Sequence, residues 1–329
     1  MFEKIYFDII GGCNAKCPLC VTARTSFGQR IQHISESDFA RAIDRLLDLS
    51  LATPGFSTVG LYSWGEPSLH PNLDGIVSVL SERGLFAGIS TNASKQMKFS
   101  TSTKHFREVV FSVPGWSQAS QDKIHGFRFD RIVANMEATI KNMRGNGYEG
   151  QFALSYHVYQ FNFFEEFELA RNWCADHGVV FQPYFAYIND YEPNKAFLKG
   201  TMDRATLEQI SKRLFLHYYD EIVQSRPDDW RCPQWDRFLT LNHKSEVLLC
   251  CVLPETHEEY SLGSVFELER EDIIRGKTTS RECDDCISCG VAYWAHNPKM
   301  LTTPEVGQAP RRAKSRVSAL LAKVVASLS

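Results

Sequence analysis

The chain has 329 residues, a formal net charge of −3, and 43% hydrophobic and 23% charged residues, the balance of a globular chain rather than a disordered one. At roughly 150 residues per domain it holds about two domains, or one large α/β barrel with an extension. Near-neutral charge supplies no global attraction for nucleic acid, no apolar run approaches the ~20 residues that cross a bilayer, and MFEKIYFDIIGG lacks the basic-then-apolar pattern of a signal peptide, so a cytoplasmic enzyme is expected.

Residues 1–200 alternate between strand and helix patterns. KIYFDII (4–10) is an apolar run ending at Gly11-Gly12 and suits a buried strand. SESDFARAIDRLLDL (35–49) puts Phe39, Ile43, Leu46 and Leu47 at helical spacing behind a Ser35 or Ser37 cap. STVGLYS (57–63) reads as the next strand, and LDGIVSVLSERG (73–84) as a helix ending at Gly84. Strands over 85–90, 108–113, 151–159 and 179–185 follow, with helices near 128–144 and 163–177 between them. Six β/α units in a row imply parallel strands and right-handed crossovers. The expected fold is therefore α/β, a sheet that stays open or curls into a barrel. Functional groups belong in the loops after the strands. The expected organisation is a core over 1–200, a helical bridge over 201–230, a region of short strands and turns over 231–296, and an irregular segment with a tail over 297–329. Within the third region, RFLTLNHKSEVLLCC predicts a hairpin turning near 242–245.

The 10 cysteines are about 3% of the chain, against ~8–10% in disulfide scaffolds, and they are clustered. In a cytosolic chain that pattern reads as metal or iron–sulfur ligation. Cys13, Cys17 and Cys20 form C-x-x-x-C-x-x-C in the loop after the first strand. Three thiolates hold three corners of a 4Fe–4S cubane and leave the fourth iron open to an outside ligand. A structural zinc loop or ferredoxin fragment is the alternative and needs a fourth ligand, for which His33 is the near candidate. Cys174, in WCADHG, reads as core.

With Gly65-Glu66-Pro67 in the loop after the second strand, this triplet resembles the radical S-adenosylmethionine (SAM) superfamily over about residues 1–190. The resemblance implies a partial (β/α)6 barrel, a cluster on Cys13, Cys17 and Cys20, and SAM chelating the open iron. A flavodoxin- or ferredoxin-type donor would supply the electron that cleaves SAM to methionine and a deoxyadenosyl radical. It further implies that Gly65 and Glu66, beside Pro67, hold the methionine amino group, and that Asn92 and Ser112 contact SAM. Leu19 stands where the family has an aromatic residue facing adenine, and Trp64 where it has a first glycine.

Cys232, Cys250, Cys251, Cys283, Cys286 and Cys289 make the second set. It resembles the C-terminal auxiliary-cluster extension called SPASM, or its shorter form, twitch. The arrangement implied is one more 4Fe–4S cluster on Cys232, Cys250, Cys283 and either Cys286 or Cys289; zinc is the alternative. The full SPASM pattern, with two clusters, needs more cysteines than these six. Adjacent strand residues face opposite ways, so Cys251 is not expected to share a cluster with Cys250. It is either a buried apolar residue or a hydrogen-atom donor to a substrate radical.

Tyr62, Trp116, Tyr156, His157, Gln182, Tyr184 and Tyr187 fall near predicted strand ends, with His125 and Arg128 after the fourth strand. Such residues stack and hydrogen-bond sugars, or simply pack. The tail over 310–329 places Val317, Leu320, Leu321, Val324, Val325 and Leu328 at helical spacing among five basic residues. It reads as a basic amphipathic helix for a membrane surface, a protein partner or its own domain. The function expected is oxidation or epimerisation of a small polyol, sugar or aminocyclitol, because the chain starts almost at its first strand and leaves no room there for a peptide-gripping domain. Modification of a ribosomally made peptide is the second reading; an iron–sulfur electron carrier and a zinc-stabilised binding module are the non-enzymatic ones.

Overall fold

The computed structural model describes residues 1–24, 31–254, 258–297 and 300–301. Strands and helices alternate through the first 185 residues much as the periodicity predicts. β1 (Lys4–Phe7) leads to the one-turn α1 (Val21–Arg24) and to α2 (Glu36–Asp48). β2 (Thr58–Gly60) leads to α3 (Leu73–Glu82), then β3 (Phe86–Thr91) and β4 (Phe106–Ser112). After α4 (Gln118–Lys123) and α5 (Phe129–Gly145) come β5 (Phe152–Val158), α6 (Glu165–Asp176) and β6 (Val179–Phe185). The Ser35 hydroxyl caps α2 by accepting from the Asp38 N–H at 3.0 Å, which contributes about 1 kcal/mol. Phe39, Ala42, Ile43 and Leu46 form the buried stripe of that helix. One crossover departs from expectation: β3 reaches β4 through a loop rather than a helix. Ser100 and Thr101 there bond the Asp74 carboxylate through both backbone and hydroxyl, and such local side-chain partners compete with helix formation.

β1 to β6 lie side by side in chain order, every neighbouring pair parallel. Right-handed crossovers that always step the same way put all connections on one face. The other face then becomes an interior, and the sheet is a partial barrel rather than a doubly wound layer.

A run of helices follows: α7 (Tyr191–Leu198), α8 (Arg204–Ser211) and α9 (His217–Gln224). Next come β7 (Phe238–Leu241), β8 (Glu246–Leu248) and β9 (Ser261–Ser264). β7 and β8 form the expected hairpin. Its turn is held by Asn242 Oδ1, which accepts from Lys244 N and Glu246 N at 3.0 Å each. This hairpin is not set apart from the barrel: β7 pairs in parallel with β1, so one sheet of nine strands runs through both regions. The expectation of short strands and turns up to Cys289 fails after β9. Residues there form α10 (Arg270–Thr279), α11 (Arg281–Cys289) and α12 (Val291–His296). The C-x-x-C spacing is also one helical turn, and Gly290, at φ 91°, ends α11. The tail over 310–329 lies outside the described residues. Among the described residues no helix is long and apolar enough to cross a membrane.

Candidate active site

Three loops meet at the carboxyl ends of β1, β2 and β3. The first carries Cys13, Cys17 and Cys20, the second Gly65, Glu66 and Pro67, the third Asn92. Their junction is made mainly of backbone. Asp8, just after β1, is buried; its Oδ1 accepts from Ser63 N at 3.0 Å and Gly65 N at 2.9 Å, and its Oδ2 from Trp64 N at 2.7 Å. Glu66 N donates to the Gly12 carbonyl at 2.9 Å. A Cβ on Gly65 would stand 1.9 Å from Ile10 O, so this glycine is required by close approach of two chains. Pro67 starts a short 3-10 turn, Pro67–Leu69, where its missing N–H costs nothing.

The Glu66 carboxylate, expected to face a ligand's amino group, is largely engaged within the protein. It is 3% exposed and accepts from Thr91 Oγ1 at 2.6 Å, Asn92 N at 2.7 Å and Ser68 N at 3.0 Å. A carboxylate has about four lone-pair sites, so roughly one acceptor position is left. Burial nevertheless raises the pKa of Glu66, and its hydrogen bonds pull the other way. Asp8 behaves alike: burial lifts it from 3.8 to about 6 against its three N–H donors.

The cysteine loop is rich in donors to sulfur. Cys13 Sγ receives Ala15 N at 3.4 Å and Asn92 Nδ2 at 3.6 Å; Cys20 Sγ lies 3.0 Å from Thr22 Oγ1 and 3.7 Å from Asn189 Nδ2. Burial pushes the Cys13 thiol up to about 12, with Glu66 and Cys20 adding; burial, then Cys20 and Cys13, raise Cys17; and burial raises Cys20, with Asp190 adding. Buried, mutually repelling thiols with N–H donors aimed at them suit thiolates that bind a cationic iron–sulfur core. Among the described residues no three His, Cys, Asp or Glu side chains converge closely enough for one metal ion; three thiolates on a cubane are spread over three separate irons. His33 packs its ring edge-on against His70, centroids 5.4 Å apart.

Below these loops the barrel interior is a cavity of about 860 Å³. Alternate strand residues share a face, and the cavity wall follows that rule on β1 with Lys4 and Tyr6 and on β5 with Ala153, Ser155 and His157; on β4 and β6 it holds for Glu108, Val110, Ser112, Val180, Gln182 and Tyr184, with Arg107, Val109 and Phe185 as exceptions. Cys17, Leu19 and Cys20 reach it from above. Of the aromatic and polar candidates, Tyr62, His157, Gln182, Tyr184 and Tyr187 line the cavity, as does His125. Trp116 and Tyr156 belong to the core instead, and Arg128 pairs with Asp130 on the exposed side. Burial depresses His125 to about 3 and His157 to about 4, so both are neutral at pH 7. His125 Nδ1 and Trp64 Nε1 are buried without a hydrogen-bond partner among the described residues.

An ionic strut crosses the cavity. Lys4 Nζ meets Glu108 Oε1 at 2.6 Å and the Tyr62 hydroxyl at 3.0 Å, while Tyr62 donates to Glu108 Oε1 at 2.6 Å. β1 and β4 are separated by β2 and β3, and both intervening strands have glycine where the strut passes. A Cβ on Gly60 would lie 3.4 Å from Lys4 Cε, and one on Gly88 2.9 Å from Glu108 Cγ.

The second cysteine set divides as expected, although Cys250 and Cys251 lie beyond the end of β8 rather than within a strand. Cys250 is buried in an apolar cluster with Cys232 and Cys286, with Cys283 and Cys289 packed against it. Cys251 lines the barrel cavity and accepts from Gln234 Nε2 at 3.2 Å. Burial pushes the Cys251 thiol up to about 12, so it keeps its proton at neutral pH. Between the two open candidates, Cys286 is raised by burial and then by Cys250, Cys289, Cys232 and Cys283, whereas Cys289 is influenced by burial, the Val291 backbone, Asp285 and Lys199, with no other cysteine among its causes. Sequence reasoning passed over Asp8, Lys4, Glu108 and Lys277. An acidic residue after a buried strand and a lysine opening one were the available signals.

No family model matches the sequence, and no curated protein matches it. Its fold does match solved structures. Streptococcus suis SuiB bound to precursor peptide SuiA superposes with a TM-score of 0.58 at 14% identity, over 89% of this chain and 70% of that one. The same protein bound to S-adenosylmethionine gives 0.55 at 15%, over 89% and 70%. Native anSMEcpe with bound AdoMet gives 0.56 at 14%, over 99% and 100%. These neighbours are radical SAM enzymes, and the chain shares their partial-barrel fold.

Proposed function

We propose that this chain is a radical SAM enzyme that oxidises or epimerises a small polyol, sugar or aminocyclitol. The observation that carries the reading is convergence: Cys17 and Cys20 of the triplet, Ser63 and Trp64 of the loop latched by Asp8, and the Cys251 thiol all border one cavity. Cys13, Cys17 and Cys20 would hold a 4Fe–4S cluster, which when bound and reduced supplies the electron that splits SAM into methionine and a deoxyadenosyl radical. The protein's own part is positional. Asp8 and Glu66 set the Trp64–Glu66 backbone against the cysteine loop, and Ser112, Asn92 and Leu19 border the space for SAM. Neutral His157 and His125, with Gln182 and Tyr184, offer hydrogen bonds to hydroxyl or amino groups without imposing a charge.

Cys251 decides the outcome in this reading. Its Sγ–H returns a hydrogen atom to the substrate carbon that lost one, which inverts that carbon. One electron from the flavodoxin- or ferredoxin-type donor and one proton from solvent would then restore the thiol. Without that donation the substrate radical loses an electron and a proton, and the net result is oxidation. The second reading, modification of a peptide, is supported by the peptide carried by SuiB in one of its structures.

Anaerobic reconstitution tests the core of the proposal. The expected protein binds about eight irons, four in each of two clusters, and after reduction cleaves SAM to methionine and 5′-deoxyadenosine. A reduced, iron-loaded protein that leaves SAM intact would be an electron carrier and would overturn the reading. In deuterated solvent, deuterium entering the product with wild type but not with Cys251→Ala supports epimerisation through that thiol.

A further inference from the structure

The second cysteine set has a cation built into it. Lys277, in the last turn of α10, has 0% of its surface exposed. Its Nζ donates at 2.8 Å to the carbonyl of Leu249, the residue immediately before Cys250. A buried ammonium without an anion is strongly disfavoured. Burial lowers the Lys277 pKa, and the groups that work against that and favour its charge are the thiols of Cys250, Cys283, Cys232 and Cys251. Lys277 in turn acts on the same four cysteines. One hydrogen bond to a backbone carbonyl does not by itself offset the desolvation of an ammonium, and an apolar side chain of similar length would fill the space without that penalty.

We propose that Lys277 is the fixed countercharge of the second cysteine site, a positioning residue that anchors the Leu249–Cys250 segment and raises the reduction potential of a 4Fe–4S cluster bound there. The inference rests on the reading of Cys232, Cys250, Cys283 and Cys286 as cluster ligands. Four thiolates make such a centre negative, and reduction adds one more negative charge. In a low-dielectric interior a nearby ammonium stabilises the more negative, reduced form more strongly. A raised potential favours the centre as an acceptor of the electron that a substrate radical gives up, which is what the oxidative outcome requires.

The test uses the full-length chain with Cys13→Ala, so that only the second centre is titrated, alone and with Lys277→Met or Lys277→Arg. Iron is counted and the reduction potential is followed by EPR. The expected result is about four irons in each, a potential lowered in Lys277→Met and recovered in Lys277→Arg. A tenfold change in the reduction equilibrium would read as 59 mV. Loss of the cluster in the Met variant alone also supports a countercharge. Unchanged potential in Lys277→Met overturns the proposal, and so does loss of the cluster in both variants, which would mean that packing rather than charge is at work. Absence of iron in the parent withdraws the second-cluster reading and this inference with it, and leaves the first site untouched.

Discussion

Gly65 and Ile10 approach so closely that a single methyl group cannot fit between them: a Cβ on Gly65 would lie 1.9 Å from the Ile10 carbonyl oxygen. Here the loop after β2 is pressed onto the loop after β1, and the obstacle is backbone, which has no rotamer to escape into. Gly65→Ala should therefore separate the loops, with a stability loss of about 1–3 kcal/mol and a larger loss of SAM affinity. Urea denaturation and equilibrium binding of SAM to the reconstituted protein measure the two; an alanine variant that binds SAM normally would show that the contact is not part of the site.

Asp8 should leave a signature in the pH dependence of stability. Its native pKa is about 6 against an ordinary 3.8. Between those values the native state keeps a proton that the unfolded chain has released, so stability falls as pH rises. The contribution is full below about pH 4 and is lost as pH passes about 6. Denaturant titrations of the iron-free protein from pH 4 to 7 should show this slope, and Asp8→Asn should flatten it relative to wild type. The amide also has one oxygen for three N–H donors, so the variant should lose about 1–2 kcal/mol for the unmet donor.

Cys286 and Cys289 should separate cleanly in iron content. Cys286 is 5% exposed and shares a buried cluster with Cys250 and Cys232, whereas Cys289 packs against that cluster from its edge, its Sγ donating to the Cys286 carbonyl at 3.4 Å. Cys286→Ala should bind about four fewer irons than wild type, and Cys289→Ala should bind the full number. The reverse result would assign the fourth thiolate to Cys289.

The Lys4–Glu108 strut should register as a coupling energy. The two side chains are 19% and 34% exposed, so solvent screens the pair and a coupling of about 1 kcal/mol is expected. A double-mutant cycle on Lys4→Met and Glu108→Gln, read by denaturant midpoints, measures it. Full additivity would mean that the strut contributes shape to the cavity and no net attraction.

Much of this molecule was legible before the structure. The strand and helix periods located the six parallel strands within a few residues, because each buried face leaves a regular trace in the chain. The cysteine spacing and the GEP loop identified the candidate site, since donor chemistry is a property of residue type. Cys250 and Cys251 part as strand alternation led one to expect, but the structure ends β8 at Leu248, so the bend beyond it and not the strand sets them apart. The helix over Arg281–Cys289 was misread, because a three-residue cysteine spacing suits a turn and a helix equally.

What residue order by itself determined was the parallel α/β character of the core and the thiolate-rich chemistry of its first loop, both set by short-range patterns. Only tertiary structure decided that β7 joins β1 in one continuous sheet, that Lys4 reaches Glu108 across two glycine-bearing strands, that Asp8 latches three amides of a loop some 55 residues away, and that Lys277 is enclosed by cysteines. Those are contacts between groups distant in the chain, and their energy depends on separation and solvent exclusion, which no local pattern encodes.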